Sequence, residues 1–572
     1  MQATIELTRE AVASPASSDC PPPSTISAGP LITALAASVA ATACGGSSSA
    51  PTPTPPPPPP AITETQASRF LSQASLGATR EHISRVQAIG YAAWLDEQFA
   101  LPQQGTRWEW LQAHGYGVPD NRNSQVGFDP ALWRKLISSP DTLRQRVTWA
   151  LHEILVTSID GLVGGGWRAF SGSAYVDLLE ANAFGNYRTL LQAISTSPAM
   201  GMYLTFRGNT KADAKTGSAP DENYAREILQ LFTIGLLKLD IDGSLLLKDL
   251  LPQETYGQKD VTGLARVFTG WDFDTSQNTQ AEPQAYVRVP MVQFAKRHEL
   301  GEKKFLDTTI PAGTDGVASL TLALDAIFAH ANVAPFVCKQ LIQRLVTSNP
   351  SAPYIKRVAQ VFNDNDNGSG VRGDLKAVIK AILLDTEARS DAALADTTFG
   401  KLREPVLRFL GWARAFKATS ASEAWAIGNT GDAAKGLGQS PGRSPSVFNF
   451  FRPGYVPPNS PIGTLHLVAP EFQITNESSV VGYVNFMQKA LSAGIGDVQA
   501  DYSALASLVT DSQALLAELN TVLAAGQISA ATLANLKTAL DQIDSSTSAG
   551  RDNRLHAALT MVLASPEFIT QK

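Results

Sequence analysis

Helical periodicity is the feature that most constrains this chain. From Thr63 to the end, apolar residues recur mostly at intervals of three and four, as they do along residues 142–157, which is the spacing of amphipathic helices. Strand-like alternation is scarce and is confined to residues 236–247 and 286–294. With 44% hydrophobic and 17% charged residues, the balance is typical of a globular chain. We therefore predict an all-α fold, a large multi-helix globular domain with one or two minor hairpins.

The first 62 residues have a different character. Residues 31–43 form a short run of small apolar residues that ends at Cys44. The run is too short for a membrane span and is typical of a signal-peptide core. The sequence Ala-Thr-Ala-Cys at its end is similar to the bacterial lipoprotein processing box, in which the cysteine is lipidated. Residues 51–60 (PTPTPPPPPP) predict a polyproline II spacer. A plain cleaved signal or a disordered cytoplasmic tail are the alternatives.

These features divide the chain into three parts. We predict a lipoprotein-type signal peptide at 1–43, a lipidated Cys44 with a proline-rich disordered tether at 44–62, and a helical domain at 63–572 with a possible C-terminal helical subdomain from about residue 500. The expected location is outside the cytoplasm, as a lipoprotein of the outer membrane or cell surface, with the periplasmic side as the alternative. The membrane is then one partner, through the lipid anchor.

Net charge limits the class of partner, and cysteine content limits the chemistry available to the chain. A formal net charge of −6 argues against a nucleic-acid partner bound through phosphate neutralisation. A protein or a polysaccharide partner stays open. Cys338, alone in an apolar helix, is expected to be a small buried hydrophobic residue rather than a catalytic thiol.

The densest polar chemistry lies in residues 221–235 (DENYAREILQLFTIG). Asp221 is the expected N-cap of one helix, and Gly235 its left-handed stop. Between two apolar faces runs a narrow polar stripe at positions i, i+4 and i+7, formed by Asn223, Glu227 and Gln230. A buried carboxyl in such a helix must find a partner or remain costly. This pattern predicts a functional site.

Two nearby segments carry residue types that could complete that site. We predict Glu227, Asp260 and His298 as the catalytic group, since these are residues of general acid–base chemistry or of a hard metal site. The binding residues predicted around them are Asn223, Arg226, Arg266 and Lys303. Their spacing matches no zinc template, so no metal or other cofactor is assigned. The alternative is that Glu227 with Arg266, or Arg226 with Asp260, form buried ion pairs between two helices.

Residues 444–458 (SPSVFNFFRPGYVPP) form a second candidate site. Four aromatic residues lie in this loop rich in proline and glycine: Phe448, Phe450, Phe451 and Tyr455. Outside the cell such a loop could stack sugars or hold a peptide. The alternative is that the aromatics close a seam of the core.

Residues 363–368 (NDNDNG) have alternating oxygen ligands and a glycine, which resembles a calcium-binding loop. The twelfth position counted from Asn363 is Asp374, a shorter ligand than the usual glutamate. Asp374 is equally well placed as the N-cap of the next helix. A polar turn between two helices is the favoured interpretation.

Seven motifs together resemble a known family. They are PDENYAREILQLFTIG, DVTGLARVFTGW, HELGEKKFL, FVCKQLIQRLVTSNPS, GVRGDLKAVIKAILLD, KLREPVLRFLGWARAF and SPSVFNFFRPGYVPP. In this order they are similar to the bacterial family named domain of unknown function 1800, over about residues 67–572. The resemblance implies a large, mostly helical, exported bacterial protein in a lipoprotein-like form, and no established activity.

Two function classes follow from the sequence. The first is a membrane-tethered lipoprotein with a binding or assembly role at the cell envelope. The second is a hydrolase that acts on envelope or extracellular polymer through Glu227, Asp260 and His298. The absence of a nucleophile elbow, a Walker loop or a dinucleotide fingerprint favours the first class.

Overall fold

The helices of this protein begin where the sequence supplies caps. In the computed structural model, which describes residues 61–365 and 369–572, Thr63 starts the first helix with a capping box. Its hydroxyl accepts from the Gln66 backbone N–H at 3.2 Å, and its own N–H donates to the Gln66 side chain at 3.0 Å, so two otherwise unpaired donors are satisfied. The predicted signal peptide, Cys44 and the proline run lie outside the described residues.

Helices account for most of the regular structure. The first eleven are α1 (Glu64–Ala74), α2 (Arg80–Ala100), α3 (Arg107–Ala113), α4 (Phe128–Ser138), α5 (Thr142–Ile154), α6 (Arg168–Ala181), α7 (Tyr187–Ser195), α8 (Pro198–Tyr203), α9 (Asn223–Glu227), α10 (Gln258–Ala265) and α11 (Gly316–Ala329). The others are α12 (Val333–Leu345), α13 (Ala352–Asn363), α14 (Leu375–Leu384), α15 (Thr386–Arg389), α16 (Ala392–Ala395), α17 (Pro405–Ala415), α18 (Pro461–Thr464), α19 (Glu477–Ala493), α20 (Ser512–Ala524), α21 (Ala530–Asp541), α22 (Ser548–Ala564) and α23 (Pro566–Ile569).

Shorter helical turns interrupt or extend these elements. A π-helix spans Ile228–Thr233. The 3-10 helices are Pro119–Asn121, Ile159–Gly161, Arg266–Phe268, Ala285–Val287, Ala295–Arg297, Pro470–Ile474 and Ser503–Leu505.

The strands are two or three residues long, and within the described residues they form only two-stranded antiparallel sheets. They are β1 (Leu247–Lys248), β2 (Leu251–Pro252), β3 (Trp271–Asp272), β4 (Val292–Gln293), β5 (Lys303–Phe305), β6 (Thr308–Ile310), β7 (Lys401–Leu402), β8 (Thr419–Ser420), β9 (Val498–Gln499) and β10 (Thr570–Gln571). Two of the pairings, β1–β2 and β5–β6, are hairpins, and β3–β4, β7–β10 and β8–β9 join distant segments. The predicted mainly helical fold is confirmed.

Helix α5 lies deep in the core. Twelve of its thirteen residues are buried, and it packs against α1, α2, α4, α6 and α12. Because a helix surrounded on all sides cannot confine its polar residues to a wet face, its buried polar residues must be paired inside the protein. The charged residues of α5 therefore become part of an internal network, described below.

The helix predicted over residues 221–235 is present, but it is not one continuous α-helix. Helix α9 covers only Asn223–Glu227 and continues as the π-helix. Asp221 lies one residue before the first turn, where its carboxylate accepts from the Asn223 N–H at 2.8 Å. Gly235 has the predicted left-handed conformation, with a φ of 69°. A Cβ at this position would lie 2.5 Å from the Phe336 ring, so both conformation and space favour glycine.

Helix α10 begins with a capping box. Its cap is Gly257, and Asp260 is the third residue inside α10. The Asp260 carboxylate reaches back to the Gly257 N–H, at 2.8 Å, as the third residue of a capping box does. After the 3-10 helix that follows α10, Gly270 has a left-handed φ of 84°.

The C-terminal helices pack onto the rest of the folded chain. Helix α20 contacts α1 and α17, and α22 contacts α19. Cys338, in α12, is fully buried as expected, and burial raises the pKa of its thiol. Within the described residues no single helix meets the length and hydropathy needed to cross a membrane, although α11 and α12, bent by 75°, meet them as a pair.

Candidate functional site

Glu227 is a buried carboxyl at the junction between α9 and the π-helix. It is 9% exposed, and its Oε2 atom has no hydrogen-bond partner among the described residues. Burial raises the pKa of this carboxyl, and Arg226 offsets part of the rise. Because π-helical turns are rare and occur frequently at functional sites, the unpaired carboxyl at this junction marks a candidate site.

Two tyrosines flank the Glu227 carboxyl. Burial, with a contribution from Glu227, raises the pKa of Tyr203 to about 12. Burial also raises the pKa of Tyr256, again with a contribution from Glu227, and the Tyr256 hydroxyl donates to Gln230 at 3.3 Å. Tyr256 thus lies near both Gln230 and Glu227, two of the three residues of the predicted polar stripe. This arrangement can donate and accept hydrogen bonds, and a neutral Glu227 could donate a proton.

Asp260 does not join this site through any contact of the described residues. Its carboxylate oxygens accept from two backbone N–H groups, those of Gly257 and Leu306, each at 2.8 Å. These bonds hold the start of α10 against the end of β5. The environment of Asp260 is that of a structural cap.

His298 is held in a third, closed set of contacts. It is 1% exposed, with Nδ1 3.0 Å from the carbonyl oxygen of Thr269 and Nε2 3.4 Å from the hydroxyl of Ser319. Burial lowers its pKa, so the ring is held neutral. Among the hydrogen bonds and ion pairs of residues 61–365 and 369–572, none joins His298 to Glu227 or Asp260. The structure therefore does not assemble the predicted catalytic group.

The predicted binding cations also have local partners. Arg266 donates to the Glu302 carbonyl at 3.2 Å. Lys303 is fully buried, its Nζ 3.4 Å from the Gly301 carbonyl, and burial lowers its pKa. Arg226 forms an ion pair with Glu222 at 3.2 Å. The alternative pairs, Glu227 with Arg266 and Arg226 with Asp260, do not form.

Glu222 provides the connection between α9 and α10 that was expected of Glu227. Its two carboxylate oxygens accept from the Gln258 amide at 2.7 Å and from the Thr262 hydroxyl at 2.8 Å. The Arg226 guanidinium donates to Gln258 at 3.3 Å. Asn223 faces elsewhere, with its amide donating to Thr205 at 3.3 Å.

The aromatic loop divides between core and surface. Phe451 is 1% exposed, and the Arg344 guanidinium carbon lies 4.7 Å from its ring centroid. Phe448, Phe450 and Tyr455 are half-buried. Phe451 is thus buried against Arg344, and the other three retain accessible surface.

Only part of the predicted calcium loop can be described, because residues 366–368 lie outside the described residues. Asp374 is the N-cap of α14, as expected, and accepts from the Ala377 N–H at 3.1 Å. Its second oxygen accepts from the Asn365 amide at 3.0 Å. The described part of the chain contains no group of three or more His, Cys, Asp or Glu side chains placed to hold a metal ion.

The sequence analysis missed a set of buried charges that we call the buried charge cluster. Its members are each at most 4% exposed and come from α5, α12, the β7–α17 junction and a 3-10 helix: Arg146, Glu153, Arg344, Lys401, Glu404 and Glu471. Lys401 Nζ lies 2.9 Å from the Glu471 carboxylate and 3.9 Å from that of Glu404. Glu404 also accepts from the Gln439 amide at 2.8 Å.

Within this cluster Glu153 is the carboxyl that keeps its proton. Its nearest cationic partner is Arg344, at 3.7 Å, and neither of its oxygens accepts a hydrogen bond from a described donor. Burial and the neighbouring Glu404 carboxyl raise the pKa of Glu153 well above its usual range. When two carboxyls share a buried site, their pKa values move apart, because both cannot ionise there. The sequence signal was present, since TLRQRVTWALHEI carries charge in an apolar helix, but the partners lie far away along the chain.

A projecting hairpin is the most exposed apolar feature. We call residues 244–252 the leucine hairpin, since all nine are exposed and they include Leu245, Leu246, Leu247, Leu250 and Leu251. Leu250, at its tip, is 88% exposed. Asp249 and Leu250 have φ values of 52° and 66°. A left-handed leucine costs about 1–2 kcal/mol, so the tip presents a large apolar side chain from a strained turn.

Comparison with known proteins adds a family but no activity. The chain matches the family model described as "Protein of unknown function (DUF1800)" over residues 69–570. No match is found among curated proteins or among solved structures.

Proposed function

We propose that this chain, which belongs to the DUF1800 family of proteins of unknown function, is an exported, membrane-tethered protein with a binding or assembly role at the cell envelope. The leucine hairpin is the observation that carries the binding role. The apolar run that ends at Cys44 and the prolines at 51–60 support the tether. The aromatic loop, with three half-buried rings, offers a second accessible surface.

The exposure of the hairpin is energetically costly in water. Burial of one leucine side chain is worth about 1.5–3 kcal/mol, and a two-stranded hairpin alone is marginally stable. Leu247 and Leu251, 53% and 69% exposed, gain this stabilisation only against a partner. Lys248 and Asp249 lie at the same tip, where insertion into acyl chains would cost about 2.5–3.5 kcal/mol for each charge. The proposed partner is therefore a protein with an apolar groove.

The tether is tested with Cys44→Ser in a Gram-negative host. We expect the wild-type protein to incorporate a labelled fatty acid and to fractionate with the outer membrane, because a multiply acylated cysteine anchors stably. The variant should carry no label and leave the membrane fraction. Unlabelled wild-type protein in the soluble fraction would contradict the anchor.

The binding role is tested with a Leu247→Asn and Leu250→Asn double variant. The matched control is Leu322→Asn, because Leu322 is also exposed, at 45%, on α11. After cross-linking in intact cells, we expect the wild type and the control to migrate in the same larger complex and the double variant to migrate alone. Equal melting temperatures of the three proteins would exclude unfolding as the reason why the double variant migrates alone. The same complex in all three proteins would reject the hairpin as the binding surface.

A hydrolase of envelope or extracellular polymer is the second candidate function, and the unpaired Glu227 carboxyl at the π-helix favours it. Glu227→Gln should abolish release of new ends from purified peptidoglycan or exopolysaccharide, because the amide cannot donate an acidic proton. Glu222→Gln, on the same helix, is the control and should retain activity. Wild-type protein without such release would exclude this function.

A further inference from the structure

Residues 444–474 cross over the buried charge cluster, and we call them the strap. Two short helical turns, Pro461–Thr464 and Pro470–Ile474, are its regular structure. The Asn349 side chain forms two 2.9 Å hydrogen bonds with the Val468 backbone. Glu471, 1% exposed, enters the cluster from the strap. Long irregular segments in compact domains are often functional.

The body of the protein surrounds the Glu471 carboxylate with positive charge. Lys401 Nζ, 2.9 Å away, is oriented by the carbonyl oxygens of Gln343 and Arg344, each at 3.0 Å. Arg146 also interacts electrostatically with Glu471. Arg408 acts electrostatically on the same carboxylate. Glu471 therefore lies among three buried cations, Arg146, Lys401 and Arg408, with Glu404 as a second carboxylate beside Lys401 at 3.9 Å.

Arg146 has unused hydrogen-bonding capacity at this site. Its guanidinium is fully buried, and Nη2 donates to the Arg344 carbonyl at 2.5 Å. Its Nε and Nη1 atoms have no partner among the described residues. A buried donor left without a partner costs about 1–3 kcal/mol. A bound carboxylate, with about four lone-pair sites on two oxygens, is the group that such donors accommodate.

We propose that Arg146 and Lys401 form a binding site for a carboxylate ligand and that Glu471 occupies it as an internal substitute carried by the strap. Movement of the strap removes Glu471 and admits the carboxylate of an external ligand. The site uses no residue of the leucine hairpin or of the predicted tether, so it does not depend on the proposed function.

The experiment uses the full chain with Glu471→Ala, which deletes the atoms of an acetate ion. Melting temperatures are compared in sodium acetate, sodium chloride and acetamide at matched concentrations. We expect the variant to melt at a lower temperature than wild type, with acetate restoring part of the loss in a saturable manner. The neutral acetamide and chloride should not do so. An equal response to acetate and chloride would overturn the proposal.

Two further measurements distinguish the loss of the Glu471 carboxylate from a general folding defect. Glu477→Ala removes an exposed carboxylate six residues further along and should show no response specific to acetate. Glu471→Gln keeps the size of the side chain but loses its charge, so hydrogen exchange across residues 444–474 should become faster than in wild type. Unchanged protection of the strap in Glu471→Gln would show that the carboxylate does not hold it, and would also overturn the proposal.

Discussion

Glu153→Gln tests the proton held inside the buried charge cluster. Burial and Glu404 raise the pKa of Glu153 well above its usual value, so the folded protein binds a proton that the unfolded chain releases above about pH 4.3. The stability contributed by this proton is complete below the unfolded pKa and is lost as pH rises through the folded pKa. Glutamine is neutral at every pH and retains an N–H that can donate to Glu404.

The size of the effect follows from linkage. Between the unfolded and folded pKa values, one retained proton changes the free energy of unfolding by about 1.4 kcal/mol per pH unit. For each pH unit between the unfolded and the folded pKa, the wild type should therefore lose about 1.4 kcal/mol that Glu153→Gln keeps. Other titrating groups are common to both proteins, so their contributions cancel in the difference.

Urea denaturation of both proteins at several pH values measures this difference. We expect the gap between the two free energies of unfolding to widen steadily as pH rises, with the variant gaining relative to wild type. The slope is informative even if the substitution has a constant packing cost, because such a cost does not depend on pH. Parallel curves at every pH above the unfolded pKa of about 4.3 would refute the assignment of a retained proton to Glu153.

Three further substitutions probe the fold by urea denaturation. Glu180→Ala removes the carboxylate that pairs with two buried cations, Arg107 at 2.6 Å and Lys135 at 2.5 Å, and only Arg107 keeps another carboxylate, that of Asp177. The substitution should cost about 3–5 kcal/mol; a loss below 1 kcal/mol would contradict this. Gly235→Ala should destabilise more than Gly208→Ala, because both have positive φ but only Gly235 meets a ring at 2.5 Å; equal losses would reject the steric argument. Phe451→Ala should cost about 3–5 kcal/mol and half-buried Phe448→Ala clearly less; the reverse order would contradict this difference in burial.

The sequence predicted local features well because each depends on neighbours in the chain. The left-handed stop at Gly235 and the cap at Asp374 are both present. The π-helix after Glu227 was not predicted, because the apolar spacing of residues 228–233 also fits an ordinary α-helix. The spacing of apolar residues does not show whether the backbone forms i→i+4 or i→i+5 hydrogen bonds.

The site residues were harder to predict because their partners are distant in sequence. The Trp149 indole donates to Glu404 at 3.3 Å across 255 positions, and Arg146 donates to the Arg344 carbonyl across 198. No periodicity within one helix encodes such pairings, which the packing of α5 against α12 and β7 creates. Sequence analysis could identify charge in apolar helices but could not assign its partners.

Three buried carboxyls illustrate that a nearby cation, rather than burial itself, decides whether a carboxyl keeps its proton. Each lies in apolar surroundings, where an unpaired charge is costly. Glu471 is compensated by Lys401 at 2.9 Å, and Glu153, without a close cation, keeps its proton instead. Glu227 has a raised pKa and one oxygen with no described partner. Of the three, Glu227 lies beside the half-exposed residues Arg226 and Gln230, so it is the carboxyl at which an external ligand could supply the missing partner.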